Sequence, residues 1–547
     1  MSRVSVEDLR RCKEILETLL DDPTTTASLP EEERRALIIA AGRLSRPTRH
    51  ESKRVYKAFR VVKRKAEQHE DRQARAQTEI RAARRSEVYV APARIVGGTE
   101  APRLASSVGP ASASENAGDA PKVDATPPQG QELRTPRDCY VCKTEFRRLH
   151  FFYDAMCASC AEYNYQKRFQ TASLVGRTAV ITGARVKIGY HAALMLLRAG
   201  ARVIVTTRFA HDAAARFSRE ADFDAWGDRL QVYGLDLRHS PSVELFARYL
   251  EQTEERLDIL INNAAQTVRR PPGFYQHLLE FEATPFEKLP PRLQGVLRGH
   301  DACKQALHVS PALNTGDQAP ALVMGRSETG LTPGLATWVD GSPGIGIRSP
   351  ALLSQVPCAY DDALSAKELF PTGRLDADLQ QVDLRSMNTW RMTLAEVPTP
   401  EMVEVQLVNA VAPFILCSKL KPLMMRHPTG EKHIVNVSAM EGQFSRFTKT
   451  DKHPHTNMAK AALNMMTLTS APDYAKSGIF MNAVDTGWVT DEDPIQLSMR
   501  KQEVHDFQPP LDIVDGAARI CDPFFHGILT GEHVSGKFLK DYRSVPW

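Results

Sequence analysis

The chain has 547 residues, 42% of them hydrophobic, and its 70 Lys and Arg against 66 Asp and Glu leave a formal charge of only +4. That is enough for at least one large core and two or three domains, while so small a charge does not imply a polyanion partner for the whole molecule, so any such argument must be local. No apolar run reaches the roughly 18 residues of a membrane span, and the charged start MSRVSVEDLRR lacks a signal peptide's apolar stretch, so the expectation is a cytoplasmic protein, with the nucleus as alternative, and no membrane partner.

Residues 1–92 are predicted to form a helical region rich in Glu, Arg, Lys, Ala and Leu, with Val6, Leu9, Cys12, Ile15, Leu16 and Leu19 recurring on one helix face. Basic residues dominate from 53 to 85, giving either a solvated face or a surface for an anionic partner such as nucleic acid or acidic protein. Residues 93–135, mostly Ala, Ser, Pro, Gly and Asp, carry too little apolar surface to offset the entropy of ordering and are expected to be a flexible linker.

Four of the nine cysteines follow in one cluster over residues 136–172: Cys139 and Cys142, then Cys157 and Cys160. Two CxxC pairs with fourteen residues between them let four thiolates meet one tetrahedral ion. Zinc suits such a closed, soft ligand set, and its role would be structural, with metal binding supplying folding energy to a module too small for its own core. Cys12, Cys303, Cys358, Cys417 and Cys521 are scattered, unlike a secreted disulfide framework. His150 is a substitute ligand by proximity, and a helix over 161–169 is predicted to follow the second knuckle. The spacing resembles treble-clef and GATA-like zinc modules.

From residue 173 the pattern changes to strand, glycine turn, helix and strand: TAVIT, Gly183-Ala-Arg-Val-Lys-Ile-Gly189, an apolar helix to Ala199, then ARVIVTT. This βαβ unit places a pyrophosphate on backbone N–H groups at a helix N-terminus. Leu235-Asp236-Leu237 follows a third strand and Asn262-Asn263-Ala264-Ala265 a fourth. With Asn409, Ser438, Lys460 and the stretch Asp485-Thr-Gly-Trp-Val-Thr490, these landmarks resemble the short-chain dehydrogenase/reductase superfamily over about 175–280 and 386–547. The implied fold is α/β, a doubly wound Rossmann-type parallel sheet over 173–547, with a surface insertion at about 281–385 and a helix within it at 293–308.

The resemblance implies that Thr182, Gly183, Ile188 and Gly189 line the pyrophosphate turn, Asp236 and Leu237 lie by the adenine, Asn262 and Ala264 pass beneath the riboses, and Thr490 contacts the carboxamide. Lys187 stands where the turn's middle glycine is usual; it adds charge toward a phosphate but strains the backbone if that site needs positive φ. At the end of the second strand the chain reads Thr206-Thr207-Arg208 in place of an acid, so NADP is expected as cofactor, with NAD the alternative.

In relatives Asn409 supports a relay water, Ser438 bonds the substrate carbonyl, and Lys460 contacts the nicotinamide ribose and lowers the pKa of a tyrosine four residues before it. Here that position is Thr456, far too weak an acid to replace a phenol. Three readings stay open: an oxidoreductase of a carbonyl or alcohol substrate with a substitute acid (His455, with His453 and His433 nearby, another tyrosine, or a held water), a substrate needing no strong acid, and a non-catalytic NADP sensor or scaffold that binds protein or nucleic acid through its zinc module and basic helices. Oligomer formation is compatible with each.

Overall fold

The computed structural model describes residues 4–84, 131–308, 344–357, 366–371, 373–376, 380–446 and 448–547. Most of the expected linker, the middle of the insertion and Cys358 lie outside these residues. The chain divides into two compact units, Met1–Gln73 and Ala74–Trp547.

The first unit is helical. A capping box between Ser5 and Asp8 starts the helix Val6–Asp21, satisfying two backbone donors that a helix start leaves open. The apolar periodicity of this helix is real, yet none of its residues is buried, and Leu9 and Ile15 are exposed. The helices Glu31–Ser45 and Arg49–Ala76 continue the unit. Lys57, Arg60, Lys63 and Arg64 stay exposed. In the second unit the basic residues are committed instead: Arg81 is buried and bonds Asp154 and Asp506, and Arg84 donates to the carbonyls of Pro509 and Leu511. The basic run is therefore not one continuous anion surface.

The second unit opens with a small antiparallel pair, β1 (Glu132–Asp138) and β2 (Glu145–Arg148), and the helix Ala158–Phe169. β1 begins inside the segment read as linker. The large sheet follows: β3 (Thr178–Thr182), β4 (Arg202–Thr207), β5 (Leu230–Gly234), β6 (Ile259–Asn262), β7 (Lys432–Ser438), β8 (Ile479–Asp485), β9 (Phe538–Lys540) and β10 (Arg543–Val545). Its order is β10-β9-β8-β7-β6-β3-β4-β5, parallel throughout except for β10 against β9. The strand order reverses between β3 and β6, so the loops leaving those strands diverge and open a crevice.

Both faces are covered, which is why the strands read as continuous apolar runs. Ala179, Ile181, Val203 and Val205 face the helices Lys187–Arg198 and Ile513–Thr530, while Val180 and Ile204 face Ser240–Thr253 and Ala412–Met425. Each fully buried Val or Ile contributes roughly 1.5–3 kcal/mol. The stretch Thr399–Met425 is long and apolar enough to cross a membrane, contrary to the sequence expectation, yet Leu416, Leu420 and Leu423 are core residues of the sheet's second face.

The insertion is not a detached excursion. The predicted helix is present as Pro291–His308, and it straddles the sheet edge at β5: Leu293, Val296 and Leu297 join the core on one face, Cys303 that on the other. Further on, the Gly346 carbonyl accepts from the Asp236 N–H at 2.9 Å and the Gly346 N–H donates to Ser242 Oγ at 2.9 Å.

Candidate functional site

A cavity of about 540 Å³ lies over the C-terminal ends of β3, β4, β5 and β6. Gly183, at φ +69°, lets the turn after β3 pass so close to the fourth-strand loop that a Cβ there would stand 2.7 Å from Ala264 Cα. A Cβ on Gly189 would meet Asn263 Nδ2 at 2.3 Å. These contacts bring the backbone at the start of the helix Lys187–Arg198 against the cavity. Lys187 adopts φ +56°, so the glycine-like conformation is kept by a residue that favours it far less.

Of the cofactor residues expected from sequence, Gly183, Lys187, Ile188, Gly189, Arg208, Asp236, Leu237, Ala264 and Thr490 line the cavity. Thr182, Asn262 and Lys460 do not. Thr182 is buried and its Oγ1 accepts the Ala264 N–H at 3.0 Å. Asn262 turns into the sheet, donating to Asn436 Oδ1 at 2.8 Å, while its neighbour Asn263 reaches the cavity and donates to the Thr182 and Gly183 carbonyls.

Charge around the cavity is largely paired. Asp236, expected by the adenine, is held by Arg238 at 2.6 Å, and Arg238 also bonds Glu404 at 2.9 Å. Burial would raise the Asp236 carboxyl, but Arg238 outweighs it and holds the group below its ordinary value. Arg269 pairs with Glu404, Arg385 with Asp383 and Arg185 with Asp212. Arg208 has no carboxylate partner among the described residues. Its Nη2 donates to Tyr275 Oη at 2.7 Å and its guanidinium lies 4.7 Å from that ring's centroid. Burial pushes the Tyr275 phenol up, yet Arg208, Arg270 and Arg185 together bring it below the usual value. Tyr275 sits on the helix Pro272–Glu282, just ahead of the insertion, and no sequence pattern marked it.

Glu492 was also missed. Its carboxylate accepts from Thr490 Oγ1 at 2.8 Å and Thr267 Oγ1 at 3.4 Å on the cavity wall. Burial raises its pKa, but Lys187 and Arg270, then the two hydroxyls, bring it below the ordinary range.

None of the expected catalytic residues lines this cavity, though Asn409 is bonded to Gln266, which does. Asn409 occupies a π-helical turn, Leu407–Val411, and its amide exchanges two bonds with the Gln266 backbone, at 2.7 and 3.0 Å. Ser438 donates to Asn464 Oδ1 at 2.5 Å, and Lys460 donates to the Val437 carbonyl at 2.8 Å. Burial takes Lys460 down to about 8. Ser438, His455, Thr456 and Lys460 are all buried, and none lines the cavity. Thr456 Oγ1 and both His455 ring nitrogens lack hydrogen-bond partners among the described residues.

None of the three histidines offered as replacement acids lines the cavity. Burial drives His455 to about 4, so it is neutral near pH 7. His433 lies at the other end of β7 among Phe480, Phe524 and His533. His453 stacks on Trp390 with ring centroids 3.9 Å apart.

The four cysteine sulfurs lie within 4.8 Å of one another. A tetrahedron with arms of ~2.3 Å has edges of about 3.8 Å, and Cys142 Sγ and Cys157 Sγ are 3.7 Å apart. The Cys157 N–H donates to Cys139 Sγ at 3.3 Å, a bond that favours a thiolate. The donor set thus fits a tetrahedral soft-ligand ion. Cys157 caps the helix Ala158–Phe169, as the knuckle pattern predicted. His150 is not among the residues whose ligand atoms converge here: its Nδ1 accepts from the Phe152 N–H at 3.1 Å and its Nε2 lies 3.5 Å from a Glu162 carboxylate oxygen.

Residues 177–284 match the family described as short chain dehydrogenase, and residues 373–506 match that described as Enoyl-(Acyl carrier protein) reductase. Both stretches lie in the second unit, whose fold is that of a short-chain dehydrogenase/reductase domain. An uncharacterized protein of Acanthamoeba polyphaga mimivirus is 28% identical over 401 residues, 71% of each chain. Dehydrogenase/reductase SDR family member 13 of Bos taurus is 44% identical over 95 residues, 17% of this chain and 24% of the relative, so the match spans about a quarter of that protein. Among solved structures, the RhlG/NADP active-site complex of Pseudomonas aeruginosa is similar with a TM-score of 0.38 and 16% identity, covering 67% of this chain and 95% of that one.

Proposed function

We propose that the second unit is an NADP-dependent oxidoreductase that passes hydride between the nicotinamide and a carbonyl or alcohol carbon. The observation that carries this is Arg208, a cavity-wall cation with no carboxylate partner among the described residues, held by Tyr275 at the end of β4. A 2′-phosphate there would meet a guanidinium fork already oriented, where a carboxylate would have repelled it. Gly183 and Gly189 would admit the pyrophosphate to the backbone, with Lys187 opposite its charge, and Thr490 would face the carboxamide. The bound nicotinamide supplies or accepts the hydride. Relatives named for alcohol or carbonyl chemistry, among them retinol dehydrogenase 13 of Mus musculus and a 3-oxoacyl-[acyl-carrier-protein] reductase of Pseudomonas aeruginosa, support this substrate class. The four cysteines would hold one structural zinc.

A second reading has its own support. With Thr456 in the tyrosine position and Ser438 and Lys460 bonded inward, the protein would bind NADP without turning over, as a sensor or scaffold. Titration with NADPH and NADH, followed by an alcohol and ketone panel monitored by nicotinamide absorbance, tests both. Binding with turnover supports the oxidoreductase, binding without turnover supports the sensor, and no binding removes both.

A further inference from the structure

The cysteine module and the cofactor loops share one core. Val489, one residue before Thr490, and Ile513 pack with Leu133, Phe146, Phe152 and Met156 of the module, and Ile188 of the pyrophosphate turn lies against the same cluster. Buried ion pairs lock the two parts together: Arg168 bonds Asp512 at 2.7 Å and Asp515 at 2.8 Å.

One contact from the first knuckle reaches the cofactor loop directly. Tyr140 stands between Cys139 and Cys142, and its own N–H donates to the Ala155 carbonyl at 2.8 Å. Its hydroxyl accepts the Trp488 N–H at 3.0 Å, two residues before Thr490. The approach is tight, since a Cβ on Gly487 would stand 3.2 Å from the Tyr140 oxygen and 2.4 Å from Leu511 Cδ1, and Gly487 takes φ +77°. On its other side the loop is tied by the Gly487 N–H to Asp485 Oδ1 at 2.6 Å. The backbone that presents Thr490 to the cavity is thus set by the residue framed by the first two metal ligands.

We propose that Tyr140 is a positioning residue for the nicotinamide end of the cofactor, and that metal occupancy of the four-cysteine centre is thereby linked to cofactor affinity. The inference rests on reading the cavity as a dinucleotide site. A metal closing the knuckle fixes where the Tyr140 ring emerges; its hydroxyl fixes Trp488; Val489, packed in the module core, then fixes Thr490. The adenosine end depends on Arg208 and Tyr275, which belong to neither the module nor this loop.

The test uses the full chain, wild type and Tyr140→Phe, titrated with NADPH and with 2′-phospho-ADP-ribose, which lacks the nicotinamide, alongside zinc analysis. Phenylalanine keeps the ring and removes only the acceptor. The expected result is an unchanged zinc content, NADPH weakened about three- to tenfold, as for one hydrogen bond, and 2′-phospho-ADP-ribose unaffected. Stripping zinc from the wild type with a chelator should also weaken NADPH, and more than it weakens 2′-phospho-ADP-ribose, whose pyrophosphate still depends on Ile188 and the module core behind it. Unaltered NADPH affinity in Tyr140→Phe, or equal losses for both ligands, overturns the inference while leaving the cofactor reading intact. A wild-type chain that binds neither ligand removes both.

Discussion

Replacing Arg208 with alanine offers the sharpest test of cofactor choice. The guanidinium is already ordered, bonded to Tyr275 at 2.7 Å and stacked 4.7 Å from its ring centroid, so little side-chain entropy remains to be lost when a phosphate arrives. A charge-assisted interaction of this kind contributes about 1.5–3 kcal/mol, and about 1.4 kcal/mol is tenfold in affinity. Arg208→Ala should therefore weaken NADPH roughly ten- to hundredfold and leave NADH nearly unchanged. Tyr275→Phe keeps the charge and removes its anchor, so a smaller loss, about three- to tenfold, is expected for NADPH alone. Calorimetric titration of both cofactors against the three proteins gives the comparison. Equal losses for NADPH and NADH in Arg208→Ala, or a wild type that prefers NADH, would refute the reasoning, because the arginine would then support the cavity wall and not the phosphate.

Cys157→Ser should lower the zinc content below about one per chain and, because Val489, Leu511 and Ile513 belong to the module's core, should lower the thermal midpoint of the whole second unit and not of the module alone. Thr456→Tyr puts a phenol into a fully enclosed position, so it should destabilise by about 1–3 kcal/mol and yield no new ketone reduction; a stable, active variant would show that the pocket extends to residue 456. Lys460 falls from 10.5 to about 8 by burial, so between those pH values the unfolded chain holds the extra proton and stability should rise with pH, whereas below pH 8 the full cost, on the order of 3 kcal/mol, applies. Denaturant titrations across that range should show a flatter pH dependence for Lys460→Met. His455→Ala should leave any rate profile unchanged between pH 6 and 8, since burial holds the imidazole neutral there.

The sheet was readable because strands buried on both faces must be apolar along their length, and the cysteine centre because thiolate geometry dictates its spacing. Other features leave no local trace. Tyr275 reaches Arg208 across 67 residues, and the hydroxyl of Tyr140 meets Trp488 across 348. The contacts of Gly346 are made by backbone groups, which every residue type but proline shares. Helical periodicity at Val6, Leu9 and Ile15 identified the helix correctly yet said nothing of what the face meets, and it remains exposed. The motif residues Ser438 and Lys460 stand on the expected strand and helix, but spacing cannot show that their polar atoms turn to Asn464 and Val437.

The helix Pro291–His308 has a consequence for association. A parallel sheet ends in a rail of unpaired backbone groups onto which another chain can add a strand. At β5 this helix takes that place, with the Gly299 N–H bonded to Gln231 Oε1 and side chains wrapped over both faces. At the opposite end, β10 is only three residues long and runs against its neighbour. Among the described residues neither rail offers a long template, and a deletion that removes residues 291–308 should raise aggregation by strand addition, read by light scattering.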